Sequence, residues 1–222
     1  MLKYDPPDES VIIEQVQKNG IYILKNVIED SFVQSLKHEV LCELKDEKYD
    51  YEFGKARNFG HLSSFPDSSD IKDFFLDPWF RNVAWRNYIG NFDFGQCVMA
   101  THDFKFDGSM ARNGFLHFDR GHCFKFLVYL TEVTENDGPF MYLPGTNQLG
   151  SQLREKAWND KVYDEVPNRI ELDYPELGLT SKDCIPMTGP AGTIAIFDTD
   201  TFHMGGLVKN GERIVLRLHC KP

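Results

Sequence analysis

A membrane-spanning helix needs about 18 to 20 consecutive apolar residues, and no run in this sequence approaches that length. The opening residues, MLKYDPPDES, lack the apolar core that a secretory signal requires. These two absences set the expectation of a cytoplasmic protein that does not engage a membrane. Clustered positive charge is also missing. The chain carries 24 Lys and Arg against 34 Asp and Glu, a formal charge of −10, with no basic run. Phosphate backbones are bound by grouped cations, so nucleic acid is not an expected partner. Anionic lipid surfaces are disfavoured for the same reason. The five cysteines, Cys42, Cys97, Cys123, Cys184 and Cys220, are odd in number and irregularly spaced. They make neither a CxxC zinc pattern nor a disulfide framework, and reduced, mostly buried thiols are expected. No GxSxG nucleophile elbow is present.

What the chain does have is apolar and aromatic material. Hydrophobic residues make up 41% of its 222 positions, and 18 of them are Phe. That is enough to build the core of one domain spanning 1–222. Its first part, 1–91, reads as a helical support region. Residues 9–19 place Val11, Ile12 and Val16 at helical spacing before Gly20, a C-cap signal. IYILKNV (21–27) reads as a short strand. SFVQSLKHEVLCELKDE follows as a helix, capped by Asp30 or Ser31. Residues 46–69 read as loop, and 70–90 as helix interrupted near Pro78, packing through Phe74, Phe75, Trp79, Phe80 and Trp85.

From 92 to 222 strand signals take over: QCVMATHDFKF, GFLHFD, CFKFLVYLTEV, FMYLPGT, GTIAIFDTDTFHM and RIVLRLHC. The turn sequences DGS, DRG, NDGP, PGTN, GPAG and KNGE separate them. Strands at this density imply an antiparallel sandwich or barrel, so the fold class is a mainly β core with added α-helices (α+β). The acidic, polar stretch 151–187 interrupts the strands, and its length marks it as a lid or binding loop.

Within this β region, HFDRGH places His117 and Asp119 two positions apart, where strand residues share one face. Far downstream, His203 ends another apolar segment before a Gly-rich turn. Two imidazoles and one carboxylate are the ligand set of the facial triad for non-haem Fe(II), which leaves three coordination positions open. Zinc also accepts this set, so a zinc-dependent hydrolase remains open. So does a non-catalytic jelly-roll protein that binds a metal or ligand. On the last strand, Arg213 is placed to hold a carboxylate through a bidentate pair. Arg217, on the same strand face, is its rival.

His122 lies past a glycine and reads as exposed or substrate-facing. His102 and Asp103 are adjacent, so they point to opposite strand faces and cannot both serve one metal. Asp198 and Asp200 read either as groups that orient the metal ligands or as ordinary turn residues. Lys105, Arg112, Arg120 and Lys125 read as solvated surface, with attraction of an anionic substrate as the other reading.

The run GFLHFDRGHCFKFLVYLTEVTENDGPFMYLPGTNQ, followed by GPAGTIAIFDTDTFHMGG and then ER, resembles the phytanoyl-CoA dioxygenase family of Fe(II)/2-oxoglutarate oxygenases. VQKNGIYILKNVIEDSFVQSL is similar to that family's opening strand and helix. The resemblance implies a double-stranded β-helix, or jelly roll, with the N-terminal helices packed on one sheet. It implies iron at His117, Asp119 and His203, and 2-oxoglutarate paired through its C5 carboxylate with Arg213. O2 would be the other co-substrate, and a small organic molecule the substrate, hydroxylated as succinate and CO2 are released. Related halogenases lack the carboxylate ligand, so Asp119 favours hydroxylation. Thr101, Lys105, Leu127 and Tyr129 are candidates to line the co-substrate. Two departures stand out: the family often has a hydroxyl residue where this chain has Gly205, and the interval from His203 to Arg213 is one residue short.

Overall fold

The protein is described from a computed structural model, which covers residues 7–45, 54–87, 92–105, 114–159 and 169–221. The expected DGS turn, Arg112 and the middle of the expected lid lie outside these residues.

The helical half follows its periodicity. Helix α1 (Glu9–Asn19) is capped by the Asp8 side chain and stops at Gly20, whose φ of 78° is left-handed. Strand β1 (Ile21–Leu24) follows, then α2 (Asp30–Leu44). α3 (Asp70–Phe75) and α4 (Pro78–Asn87) divide at the expected break. Trp85 is the exception to the expected packing, standing 56% exposed. Two departures lie in the supposed loops. Gly54–Gly60 forms an edge strand, β2, although GKARNFG has no β-branched residue. It is held through backbone pairing with β3 (Asp93–Phe104). Likewise, the 151–187 stretch ends in a short edge strand of the smaller sheet.

The remaining elements are β4 (Phe124–Tyr129), β5 (Phe140–Tyr142), α5 (Asn147–Asn159), α6 (Ile170–Asp173), β6 (Ile185–Met187), β7 (Ile194–Asp198), β8 (His203–Gly205) and β9 (Glu212–Lys221). Among the described residues the strands build two antiparallel sheets. The larger runs β1-β7-β4-β9-β3-β2, and the smaller β6-β5-β8. The arrangement is a jelly roll. GFLHFD is not a full strand: His117 makes isolated bridges to His203 and Arg169.

Strand alternation sorts the side chains of the larger sheet. Phe124, Phe126 and Val128 of β4 and Ile214, Leu216 and Leu218 of β9 face the helices, forming one core with Phe74, Phe80 and Leu36. Phe80 meets Phe126 edge-on at 5.0 Å between ring centroids. The intervening residues, Lys125, Leu127, Tyr129, Arg213, Val215 and Arg217, face a cavity between the sheets. The helices cover one face of the larger sheet, and the smaller sheet stands over the other, so that face is a cavity wall.

Candidate metal centre and cavity

The cavity holds about 350 Å³. Three short pieces supply the polar groups that converge in it: the 117–119 segment, β8 and the inner face of β4. Backbone bonds lock the first two together, with His117 N donating to His203 O at 3.0 Å and His203 N to His117 O at 2.8 Å. This pairing brings the two imidazoles to 4.5 Å between centroids. Each ring is oriented by its far nitrogen. His117 Nδ1 lies 2.8 Å from the Phe115 carbonyl, and His203 Nδ1 lies 2.7 Å from the Thr201 carbonyl. A carbonyl can only accept, so Nδ1 carries a proton in each ring and Nε2 is the atom turned toward the site.

Asp119 completes the group. Its Oδ1 lies 3.6 Å from His203 Nε2 and 3.9 Å from His117 Nε2. The three donor atoms all fall within 4.8 Å of one another. Burial, and then the neighbouring His203, push the His117 imidazole down to about 4, so it stays neutral near pH 7. Burial alone would raise the Asp119 carboxyl, but Lys125 and His203 reverse this and hold it well below the usual carboxylate range. A neutral His117 and an ionised Asp119 are protonation states that suit a divalent cation. The residues present therefore fit a metal ion.

The expected co-substrate residues divide. Arg213 lines the cavity, its Nε and Nη2 donating to Asp103 Oδ2 at 3.0 and 2.7 Å. Arg217, its rival, lines the cavity too, as do Thr101, Leu127 and Tyr129. Tyr129 is chiefly structural at its hydroxyl, which donates to Met187 O and accepts from Phe140 N. Lys105 follows the end of β3, is exposed, and is not among the lining residues.

Lys125 corrects the surface reading. Its side chain is only 12% exposed and its ammonium donates to Asp119 Oδ2 inside the cavity. Asp103 was also missed as a site residue, though its register partner on β9 is Arg213. As expected, His102 faces the other way, at 2.6 Å from Glu212. Asp198 and Asp200 do not orient the metal ligands. His122 Nε2 lies 3.0 Å from Asp198 Oδ1, and Asp200 is gripped by Arg154 of α5 at 2.8 and 2.9 Å.

The sequence matches the model of the phytanoyl-CoA dioxygenase (PhyH) family over residues 16–214. The chain belongs to that family. Compared with curated proteins by sequence, it matches none. Among solved structures, it superposes on the non-haem α-ketoglutarate-dependent epimerase SnoN from nogalamycin biosynthesis with a TM-score of 0.68, at 12% identity, covering 98% of this chain and 84% of that one. The carbocyclase SnoK, from the same biosynthesis, gives 0.70 at 12% identity, covering 98% and 87%. HygX from Streptomyces hygroscopicus, solved with nickel and 2-oxoglutarate, gives 0.62 at 15% identity, covering 99% and 88%. At such identities the likeness is one of fold, and this PhyH-family fold serves more than one reaction among its neighbours. No helix among the described residues is long and apolar enough to cross a membrane.

Proposed function

We propose that this chain is an Fe(II)- and 2-oxoglutarate-dependent oxygenase that hydroxylates a C–H bond of a small organic substrate. The observation that carries this reading is the convergence of His117 Nε2, His203 Nε2 and Asp119 Oδ1 on one wall of a cavity that also contains Arg213. His117, His203 and Asp119 would hold the iron on one face and leave its other face to the cavity. Iron bound there supplies the activation of O2, with 2-oxoglutarate oxidised to succinate and CO2 as one oxygen atom enters the substrate.

The chain's own residues supply binding and order. Arg213, with its guanidinium fixed by Asp103, would pair with the C5 carboxylate of the co-substrate. Thr101 adds a hydroxyl to that wall, and Leu127, Phe140 and Phe197 give it apolar surface that excludes water. Gly205 offers no hydroxyl, so Arg213 and Thr101 carry the polar recognition. HygX, a structural neighbour, is solved with nickel and 2-oxoglutarate bound, which supports the same reading here.

Anaerobic calorimetry with Ni(II) in place of iron tests the assignment. 2-Oxoglutarate should bind only once metal is present. Asp119→Ala should lose metal, whereas Arg213→Ala should keep metal and lose 2-oxoglutarate. Binding of 2-oxoglutarate that ignores both metal and Arg213 would end the proposal.

A further inference from the structure

The smaller sheet continues beyond β8 through isolated bridges. Tyr142 of β5 pairs with His203 of β8. His203 pairs with His117, and His117 pairs on its other side with Arg169. The four residues make one row across the sheet, and directly opposed residues put their side chains on the same face. His117 and His203 turn that face to the cavity. Arg169 is therefore the next side chain in the row after the two imidazoles.

Ile170 N donates to Leu116 O at 2.8 Å. His117 and Arg169 are thus an antiparallel pair of the non-hydrogen-bonded kind, with Cα atoms about 4.5 Å apart and side chains at their closest. The Arg169 guanidinium lies over the Phe115 ring, 5.6 Å from its centroid. Phe115 stands two positions before His117, on the same face. Gly114 and His117, to either side of it, both line the cavity, whereas Phe115 and Arg169 lie just outside the lining. Half-buried, the stacked pair forms part of the cavity rim.

The Arg169 charge is not engaged by the metal ligands. Lys125 and His203 are the cationic neighbours that act on the Asp119 carboxyl. Among the described residues the Arg169 guanidinium makes no hydrogen bond and no ion pair; its contact is the Phe115 ring. Asp173, the carboxylate that feels its charge, accepts from the Arg169 backbone N–H instead and also feels Arg120. Two guanidinium charges therefore act on one carboxylate at this edge of a chain whose formal charge is −10. Stacking on Phe115 restrains a long side chain, which lowers the ordering cost of binding a ligand there.

We propose that Arg169 binds an acidic group of the primary substrate at the cavity rim, with the carbon to be oxidised directed inward. This proposal rests on the metal and 2-oxoglutarate reading of the same site. The substrate class is a small organic acid carrying a carboxylate or phosphate, since the guanidinium fork suits both. Its reacting part is apolar, to match Leu127, Phe140 and Phe197 of the cavity wall. The cavity of about 350 Å³ is near the lower end of ligand pockets, roughly 300–1,000 Å³, which favours a small molecule.

The test uses full-length protein loaded with Ni(II) and saturating 2-oxoglutarate, titrated by calorimetry with hexanoate, hexyl phosphate and hexanamide. Hexanoate or hexyl phosphate should bind more tightly than hexanamide, and the tighter of the two names the acidic group. Arg169→Gln should weaken that anion by at least about tenfold, the loss expected for a hydrogen bond to a charged group. Its affinity for Ni(II) and 2-oxoglutarate should stay at the wild-type value. Arg169→Lys keeps the charge without the fork and should fall between the two, which preserves the test if the Gln variant does not fold. The proposal is overturned if neither anion binds better than hexanamide, or if both variants bind the anions like wild type. It is equally overturned if Arg169→Gln loses 2-oxoglutarate, because Arg169 would then serve the co-substrate. Failure of wild type to bind 2-oxoglutarate on Ni(II) is a different result, which removes the underlying site reading.

Discussion

Lys125 and Asp119 form an ion pair inside the cavity, while the other carboxylate oxygen faces both histidines. Lys125 therefore holds the carboxylate in the orientation that directs one oxygen at the metal position. Such outer partners of metal ligands typically contribute about 10–100-fold in affinity. Lys125→Met should weaken Ni(II) binding by that order in a chelator competition, with Lys125→Arg recovering part. Unchanged affinity in the Met variant would show that Asp119 is oriented without it.

Arg213 and Asp103 should be coupled in stability. Removing one partner of a buried ion pair leaves an uncompensated charge, at a cost of about 3–5 kcal/mol. Arg213→Ala should lower the unfolding free energy by that order, and Asp103→Ala added to it should restore part. Additive losses in denaturant unfolding would show that the two side chains do not act as a pair.

Gly20 joins the helical half to the metal position. A Cβ added there would stand 1.9 Å from Thr201 Oγ1, and its φ of +78° is unfavourable for any other residue. Thr201 Oγ1 donates to Gly20 O at 3.0 Å, and the Thr201 carbonyl orients His203. Gly20→Ala should therefore lower both the melting temperature and the affinity for Ni(II). A drop in melting temperature with metal binding intact would separate the two effects.

How far these features could be read from the sequence depended on which partner supplied the constraint. His117 and Asp119 were legible because alternation and ligand chemistry are local, and His203 because a lone histidine ends an apolar run. Gly20 was legible as a helix stop. Lys125 was not, because a lysine alternating with Phe124, Phe126 and Val128 looks the same whether its face meets solvent or a cavity. Only the smaller sheet and the 117–119 segment, which stand over that face, decide it. Asp103 was unreadable as a site residue for a related reason: its role depends on the β3–β9 register, a pairing across about 110 residues. Strand β2 escaped notice because an edge strand held by backbone bonds needs no side-chain signature.

His122 makes stability depend on pH in a defined direction. Burial pulls its imidazole down, but the bond to Asp198 and the charges of Asp198 and Asp200 outweigh burial and Arg154, leaving it raised above 6.5. A group raised on folding stabilises most below its unfolded value and loses that contribution as pH rises through its folded value. The melting temperature lost on His122→Gln should therefore be larger near about pH 5.5 than near about pH 8.5. A loss that grows with pH would contradict the Asp198 pairing.

Oxygen-dependent release of succinate from 2-oxoglutarate bears most directly on the central assignment. Protein reconstituted anaerobically with Fe(II) should release none until O2 is admitted, and then release it in step with the O2 consumed. His117→Ala and His203→Ala should abolish the release, and Zn(II) in place of iron should support none. Succinate release without O2, or undiminished in the two histidine variants, would contradict the assignment.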